Sequence, residues 1–442
     1  MSESIITSEL LRFAISLCFL IACLRLRRYF LLIIPFIQYA AFIFMKQDRL
    51  PEYNFILSYA EILILLILAY QQDFAIKDKI SLFLFLYPFL AIPPLVFFFG
   101  SVYQSIFIMS LLSLSAFLYV FYLQNMEWFL NINIFSYVVL VWITYGIYTK
   151  IIQGVKWADT LSVGSTTPLL WTIFNRGGGI GASNFAGGII LMFLPFIKNY
   201  KILVCANLFL LTTLSRGVYI CLLLFWLIRA TQSINLFRIN KSFMKSVLLF
   251  VFTVVVIFFF IPSDIRDEVS VQTFNRIVGS VDWGDSISDK FVARLSGDSR
   301  NEILKQAFSM FKETLYVGVG LGGFAWGQEL IGVTKEYSNA HNLYLTLLVE
   351  GGPFFLVSFM ALLLYTFFLA YKYSKDAFFS LLLFSIYGLF SGQIYEASAL
   401  VTACYYYYFI FILSYVKHIQ LKKQHAKCFR QSIAEPSLIS YS

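Results

Sequence analysis

Charge is scarce in this chain: Asp, Glu, Lys and Arg make up 13% of its 442 residues, while 60% are hydrophobic. Glycine and proline are few as well, 24 and 10, so little interrupts the apolar runs. Many of those runs reach the roughly 20 residues that a helix needs to cross a bilayer. A membrane β-barrel would instead show alternating segments of about 10 residues, and these are missing. The six cysteines, Cys18, Cys23, Cys205, Cys221, Cys404 and Cys428, lie in apolar runs or near the C-terminus. None is paired at metal-ligand spacing, so neither a zinc site nor a disulfide framework is expected. Residues 1–7 lack a basic cluster and no small-residue cleavage pattern follows them, so the first apolar run is expected to be retained. Histidine is the scarcest ionisable residue: His418 and His425 lie in a basic tail, and only His341 stands elsewhere.

What is present fits an all-α, polytopic integral membrane protein. Apolar runs near 8–24, 29–45, 53–71, 80–100, 102–123, 133–149, 185–197, 202–214, 216–230, 244–262, 342–371, 376–392 and 398–416 predict about 12–13 transmembrane helices. The net charge is +9, and its placement carries more information than its size, because short cytoplasmic loops collect Lys and Arg. Arg25 to Arg28, Lys77 and Lys79, Lys198 and Lys201, Arg229 to Lys245, Lys372 and Lys375, and Lys417 to Arg430 fall on alternate loops. Those loops are expected to be cytoplasmic, facing an anionic leaflet, which accounts for the basicity without nucleic acid.

This count divides the chain into an N-terminal transmembrane bundle (1–262), a large outer loop (263–341), C-terminal transmembrane helices (342–416) and a basic cytoplasmic tail (417–442). A smaller outer loop at 150–184 holds Asn175-Arg176-Gly177-Gly178-Gly179. Both outer loops are expected on the periplasmic side. Within the larger one, Ser299-Arg300-Asn301-Glu302 has capping-box spacing, and Ile303, Leu304, Ala307, Phe308 and Phe311 follow at helical period. An amphipathic helix is predicted to start there, followed by a flexible Gly-rich turn over 318–323 and then His341.

Five residues are candidates for chemistry. His341 is where a long polar segment meets an apolar helix, and imidazole exchanges protons near neutral pH; it is read either as a general base or as an interfacial side chain bonded to a backbone carbonyl. Arg300 stands in the first turn of the loop helix, where the dipole disfavours a cation by about 0.3–1 kcal/mol. A bound anion reverses that sign, since free N–H groups and a guanidinium both donate to phosphate oxygens. A solvated arginine paired with Glu302 or Asp298 is the other reading, and Arg294 is a close substitute. Arg216 is the lone charge between Lys201 and Arg229. An arginine inside a bilayer costs about 2.5–3.5 kcal/mol, so it is expected to face a polar cavity, or to snorkel from a rim position. Arg176 precedes glycines that let backbone approach a bulky ligand. Neither glycine run matches a P-loop or a dinucleotide fingerprint. Glu350, nine residues beyond His341, points to the other side of a straight helix and makes no simple pair with it, unless Gly351-Gly352-Pro353 bends that helix. Glu61, the one deep carboxylate, is read as a proton relay or as a structural group.

Taken together, Ser-Arg-Gly-Val-Tyr at 215–219, Arg300, Gly-Val-Gly-Leu-Gly-Gly-Phe at 318–324, and Ala-His-Asn-Leu-Tyr-Leu at 340–345 with Glu350-Gly351-Gly352 resemble the bacterial O-antigen polymerase and O-antigen ligase superfamily. The resemblance is strongest from about 176 to 353. It implies metal-independent glycosyl transfer, with no separate cofactor, from an undecaprenyl-diphosphate-linked oligosaccharide at the periplasmic face of the inner membrane. It also implies that Arg216 and Arg300 hold the diphosphate and that His341 activates the acceptor hydroxyl. Arg176 followed by ten residues and Gly187 is similar to an element of some polymerases, whereas the same interval from Arg294 or Arg300 ends at Lys305 or Phe311. A polymerase is therefore expected, joining lipid-linked repeat units as donor and acceptor, with a chain-length regulator in the membrane as a further partner. A ligase that transfers polymer to lipid A-core is the alternative. A lipid-glycan flippase is a third reading, which internal repeats and helices broken at the midplane would favour.

Overall fold

A computed structural model describes residues 78–97, 102–144, 146–147, 182–213, 215–233, 298–333, 340, 342–390 and 401–434. Among the described residues the structure is helical and contains no strand. The first half comprises α1 (Lys79–Leu86), α2 (Ile92–Phe97), α3 (Val102–Ser113), α4 (Ser115–Asn131), α5 (Ile134–Thr144), α6 (Ala182–Phe193), α7 (Tyr200–Thr212) and α8 (Arg216–Ser233). The second comprises α9 (Asp298–Glu313), α10 (Phe324–Leu330), α11 (Leu343–Tyr373), α12 (Lys375–Gly388) and α13 (Val401–Ala434). The apolar runs expected near 8–24, 29–45, 53–71 and 244–262, and Glu61, lie outside the described residues.

Two helical stretches are long and apolar enough to cross a membrane, Ile108–Asn131 and Leu343–Tyr373, and shorter apolar helices of 10–17 residues accompany them. The run near 80–100 is described to Phe97, and Lys79–Pro94 is one of the shorter apolar helices. Pro88 sits in a 3-10 turn over Tyr87–Ala91, and α2 starts with Pro93 and Pro94 in its first turn. Proline is tolerated there because the first N–H groups of a helix have no intrahelical partner.

The core is built around α13. Residues 405–413 are each at most 4% exposed, and a helix apolar on every side belongs in an interior. Phe411 meets the rings of Tyr122, Phe129 and Phe135 at 63–85° tilts with centroids 5.3–5.8 Å apart; aromatic pairs in such geometry contribute about 0.5–1.5 kcal/mol beyond burial. Tyr408 accepts a 2.8 Å hydrogen bond from Trp142 Nε1. On α6, Gly188 lies so close to Tyr387 that an added Cβ would stand 2.5 Å from its ring. Small residues of this kind let apolar helices approach closely where no water-driven burial holds them together. From residue 421, α13 continues as an exposed helix into the basic tail.

Candidate functional site

Three helix ends meet at one end of this bundle, and α12 supplies the common neighbour. Arg216 is the first residue of α8. The adjacent Gly217 packs against the last turn of α12, where a Cβ would fall 2.6 Å from Phe390 Cβ. Tyr219, in the first turn of α8, donates through its hydroxyl to Leu211 O at 2.7 Å, which ties α8 to the end of α7. Gly187 on α6 lies against Val218 and Thr213. The start of α11 reaches the same turn. Asn342 caps α11 by accepting from the N–H groups of Tyr344 and Leu345 at 3.0 and 3.1 Å, as an Asn N-cap does. Its amide donates to Leu389 O at 3.4 Å, and the Tyr344 hydroxyl donates to Ser385 O at 3.0 Å. The segments bearing Arg216 and Asn342 thus converge on residues 385–390.

The predicted loop helix is present, starting at Asp298, one residue before the expected capping serine. Arg300 lies in its first turn. One turn later, Ile303 is buried with Ala307 and Met310 in a small cluster that also holds Val319, Phe324, Ala340 and Val349. Gln328 donates to Gln306 at 3.2 Å inside this packing. The apolar side of α9 therefore lies on the start of α11, and Ala340, the residue before His341, is part of the contact. Arg176, Arg294 and His341 lie outside the described residues.

The Gly-rich turn is pinned to α11, because α11 is broken there. Gly352 has φ 82° and ψ 175° inside the helix, and Pro353 follows it. Proline has no N–H, so Val349 O, four residues earlier, loses its helical donor. Val319 N–H takes that place at 2.8 Å, and Gly320 N–H bonds Glu350 O at 3.0 Å. Glu350 completes the junction: at 1% exposure its carboxylate accepts from Gly322 N–H at 2.7 Å. Gly318, at φ 111°, lies where a Cβ would stand 2.9 Å from Glu350 O. From the other side, Ser105 donates to Leu321 O at 2.9 Å. Sequence reasoning passed over Ser105, Gln306 and Gln328, and weighed Glu350 only as a partner for His341. The Gly351-Gly352-Pro353 run that follows Glu350 was the signal that the helix around it bends.

Among the described residues no group of three or more His, Cys, Asp or Glu could hold a metal ion. The site offers the start of α8, which Arg216 opens, and the start of α11, which His341 precedes; α9, with Arg300 in its first turn, packs through Ile303 on the start of α11. N–H groups without an intrahelical partner at a helix start favour a bound anion.

Residues 202–360 match the family model described as O-antigen ligase. Over this segment the match supports the resemblance to the O-antigen polymerase and ligase superfamily. The match opens in α7 and closes in α11, so it contains α8, α9, the Gly-rich turn and the broken helix, the parts that meet at this end. Members of the family are glycosyltransferase-like enzymes of lipopolysaccharide biosynthesis. The family match and the two long apolar helices both support a membrane protein. No curated protein matches the chain.

Proposed function

We propose that this chain is an O-antigen polymerase that joins undecaprenyl-diphosphate-linked repeat units at the periplasmic face of the bacterial inner membrane. The observation that carries the reading is the convergence of the Arg216 and Asn342 helix starts on the last turn of α12. A diphosphate leaving group develops negative charge as the glycosidic bond forms, and fixed donors aimed at that charge lower the barrier. Arg216 opens α8 and Arg300 lies in the first turn of α9, so in this reading guanidinium and free N–H groups act on the same oxygens, and a bound diphosphate offsets the dipole cost of a cation there. His341, beside the cap of α11, takes the proton of the acceptor hydroxyl as it attacks the anomeric carbon. The donor is already activated by its lipid diphosphate, so the reaction asks for no external nucleotide.

The polymerase reading draws on Arg176 and Gly187. Gly187 packs on Val218 and Thr213, beside the start of α8, which supports a link between that element and the site. The ligase reading has its own support in the description of the matching family model. A deletion strain separates them by its lipopolysaccharide pattern. Loss of a polymerase leaves lipid A-core carrying one repeat unit, because ligation continues. Bare core, with polymer held on the lipid carrier, replaces the polymerase reading with the ligase one. The flippase reading loses ground at Gly352: the break in α11 is filled by the backbone of the 318–322 turn, so it is a sealed junction between two segments of protein.

A further inference from the structure

At the end of the bundle opposite the candidate site, a cleft of about 210 Å³ opens between α8, α12 and the turn after α6. The opposition follows from chain direction. α7 runs from Tyr200 to Thr212, α8 returns from Arg216 past Arg229, and α12 runs from Lys375 to Gly388, two residues before Phe390. Lys198, Arg229 and Asp376 line the cleft with Phe225, Ile228 and Phe379. Two cations face one carboxylate, so the opening keeps a net positive charge. Arg229 stands over the Phe225 ring, 5.6 Å from its centroid, which holds the guanidinium at an apolar wall. More cations gather at this end: Lys372 and Lys423 both lie over Tyr373, at 5.5 and 5.4 Å.

We propose that this cleft binds the phosphodiester headgroup of an anionic phospholipid. A headgroup supplies both things the lining asks for, an anion for Lys198 and Arg229 and glycerol or acyl carbon for Phe225, Ile228 and Phe379. A hydrated inorganic anion meets only the first. A basic pocket between membrane helices is a recurrent form of such a site, and each basic residue near an anionic surface contributes about 1 kcal/mol, close to fivefold in affinity. Asp376 works against binding by partly neutralising the two cations, which gives the proposal a second handle. It stands apart from the glycan chemistry and survives if that reading fails.

The test uses the full chain in detergent, stripped of lipid, with adducts counted by native mass spectrometry. The wild-type chain is expected to retain phosphatidylglycerol over phosphatidylcholine. Lys198→Gln with Arg229→Gln is expected to weaken phosphatidylglycerol retention by about tenfold or more, and Asp376→Asn to retain it at least as well as wild type. Where the double variant is not monodisperse, Lys198→Glu alone, at an exposed position, carries the same expected loss. Equal retention of the two lipids by wild type, or undiminished phosphatidylglycerol on the variants, overturns the proposal. Displacement of the lipid by millimolar inorganic phosphate assigns the cleft to a free anion and overturns it too.

Discussion

Glu350 shows how one residue can hold two segments together. Its carboxylate is 1% exposed and accepts the N–H of Gly322, while its carbonyl accepts from Gly320. Removing the acceptor leaves a buried N–H without that partner, at about 1–3 kcal/mol. Glu350→Ala is therefore expected to lower stability by that amount and to reduce transfer, whereas Glu350→Gln, whose amide oxygen can still accept, keeps most of both. Thermal unfolding in detergent beside glycan transfer in membranes checks this. A dead but stable Glu350→Gln would instead make the negative charge itself necessary. At the reacting residues the expected losses are of another kind. His341→Ala abolishes transfer while the protein remains inserted and abundant. Arg216→Lys fails as well, because an ammonium cannot reproduce a bidentate fork on phosphate. Immunoblots of membranes read with lipopolysaccharide gels separate these outcomes, and full activity of His341→Ala removes the base assignment.

Among the elements, the break in α11 is the most specific device. Pro353 takes away one donor, Gly352 supplies a backbone turn at φ 82°, and the Gly-rich turn fills the gap. Pro353→Ala returns an N–H that competes with Val319 for Val349 O. The variant is expected to straighten α11, detach the turn and depress transfer, with faster hydrogen exchange at Val319 and Gly320 as the direct readout; unchanged exchange at those amides would refute the competition. Gly352→Ala is expected to be worse, since a side chain at that φ is strained by about 1–3 kcal/mol and would collide with Val317 O. Part of this was legible in the sequence. The 3.6-residue apolar period predicted α9, although the helix starts at Asp298, ahead of the Ser299 expected to cap it, and the apolar run from 342 marked α11. The pinning of the turn was not legible, because a run of glycines looks the same whether it is free or bonded to a carbonyl that a distant proline has orphaned. Nor was the meeting of Gly217 and Asn342 on α12, which is a product of packing and leaves no local period.

Across the whole molecule, charge and site separate to opposite ends. Lys198, Arg229, Lys372 and Lys423 gather where α8 ends and α12 begins, while Arg216 and Asn342 start helices at the other end. Positive charge collects on the cytoplasmic side of short loops, so the proposed orientation puts the tail inside and the Arg216 end in the periplasm. The exposed helix that carries Lys422 and Cys428 beyond the bundle serves as one marker, and the 263–341 segment as the other. Two single-cysteine chains decide the matter, one with Asp285→Cys and one keeping Cys428. A membrane-impermeant maleimide added to cells with opened outer membranes is expected to label the first at once and the second only after the inner membrane is broken. The reverse pattern would place the Arg216 end in the cytoplasm. Polymerisation of lipid-linked units that have already crossed the membrane could not then occur there, so the orientation and the proposed reaction stand or fall on the same labelling experiment.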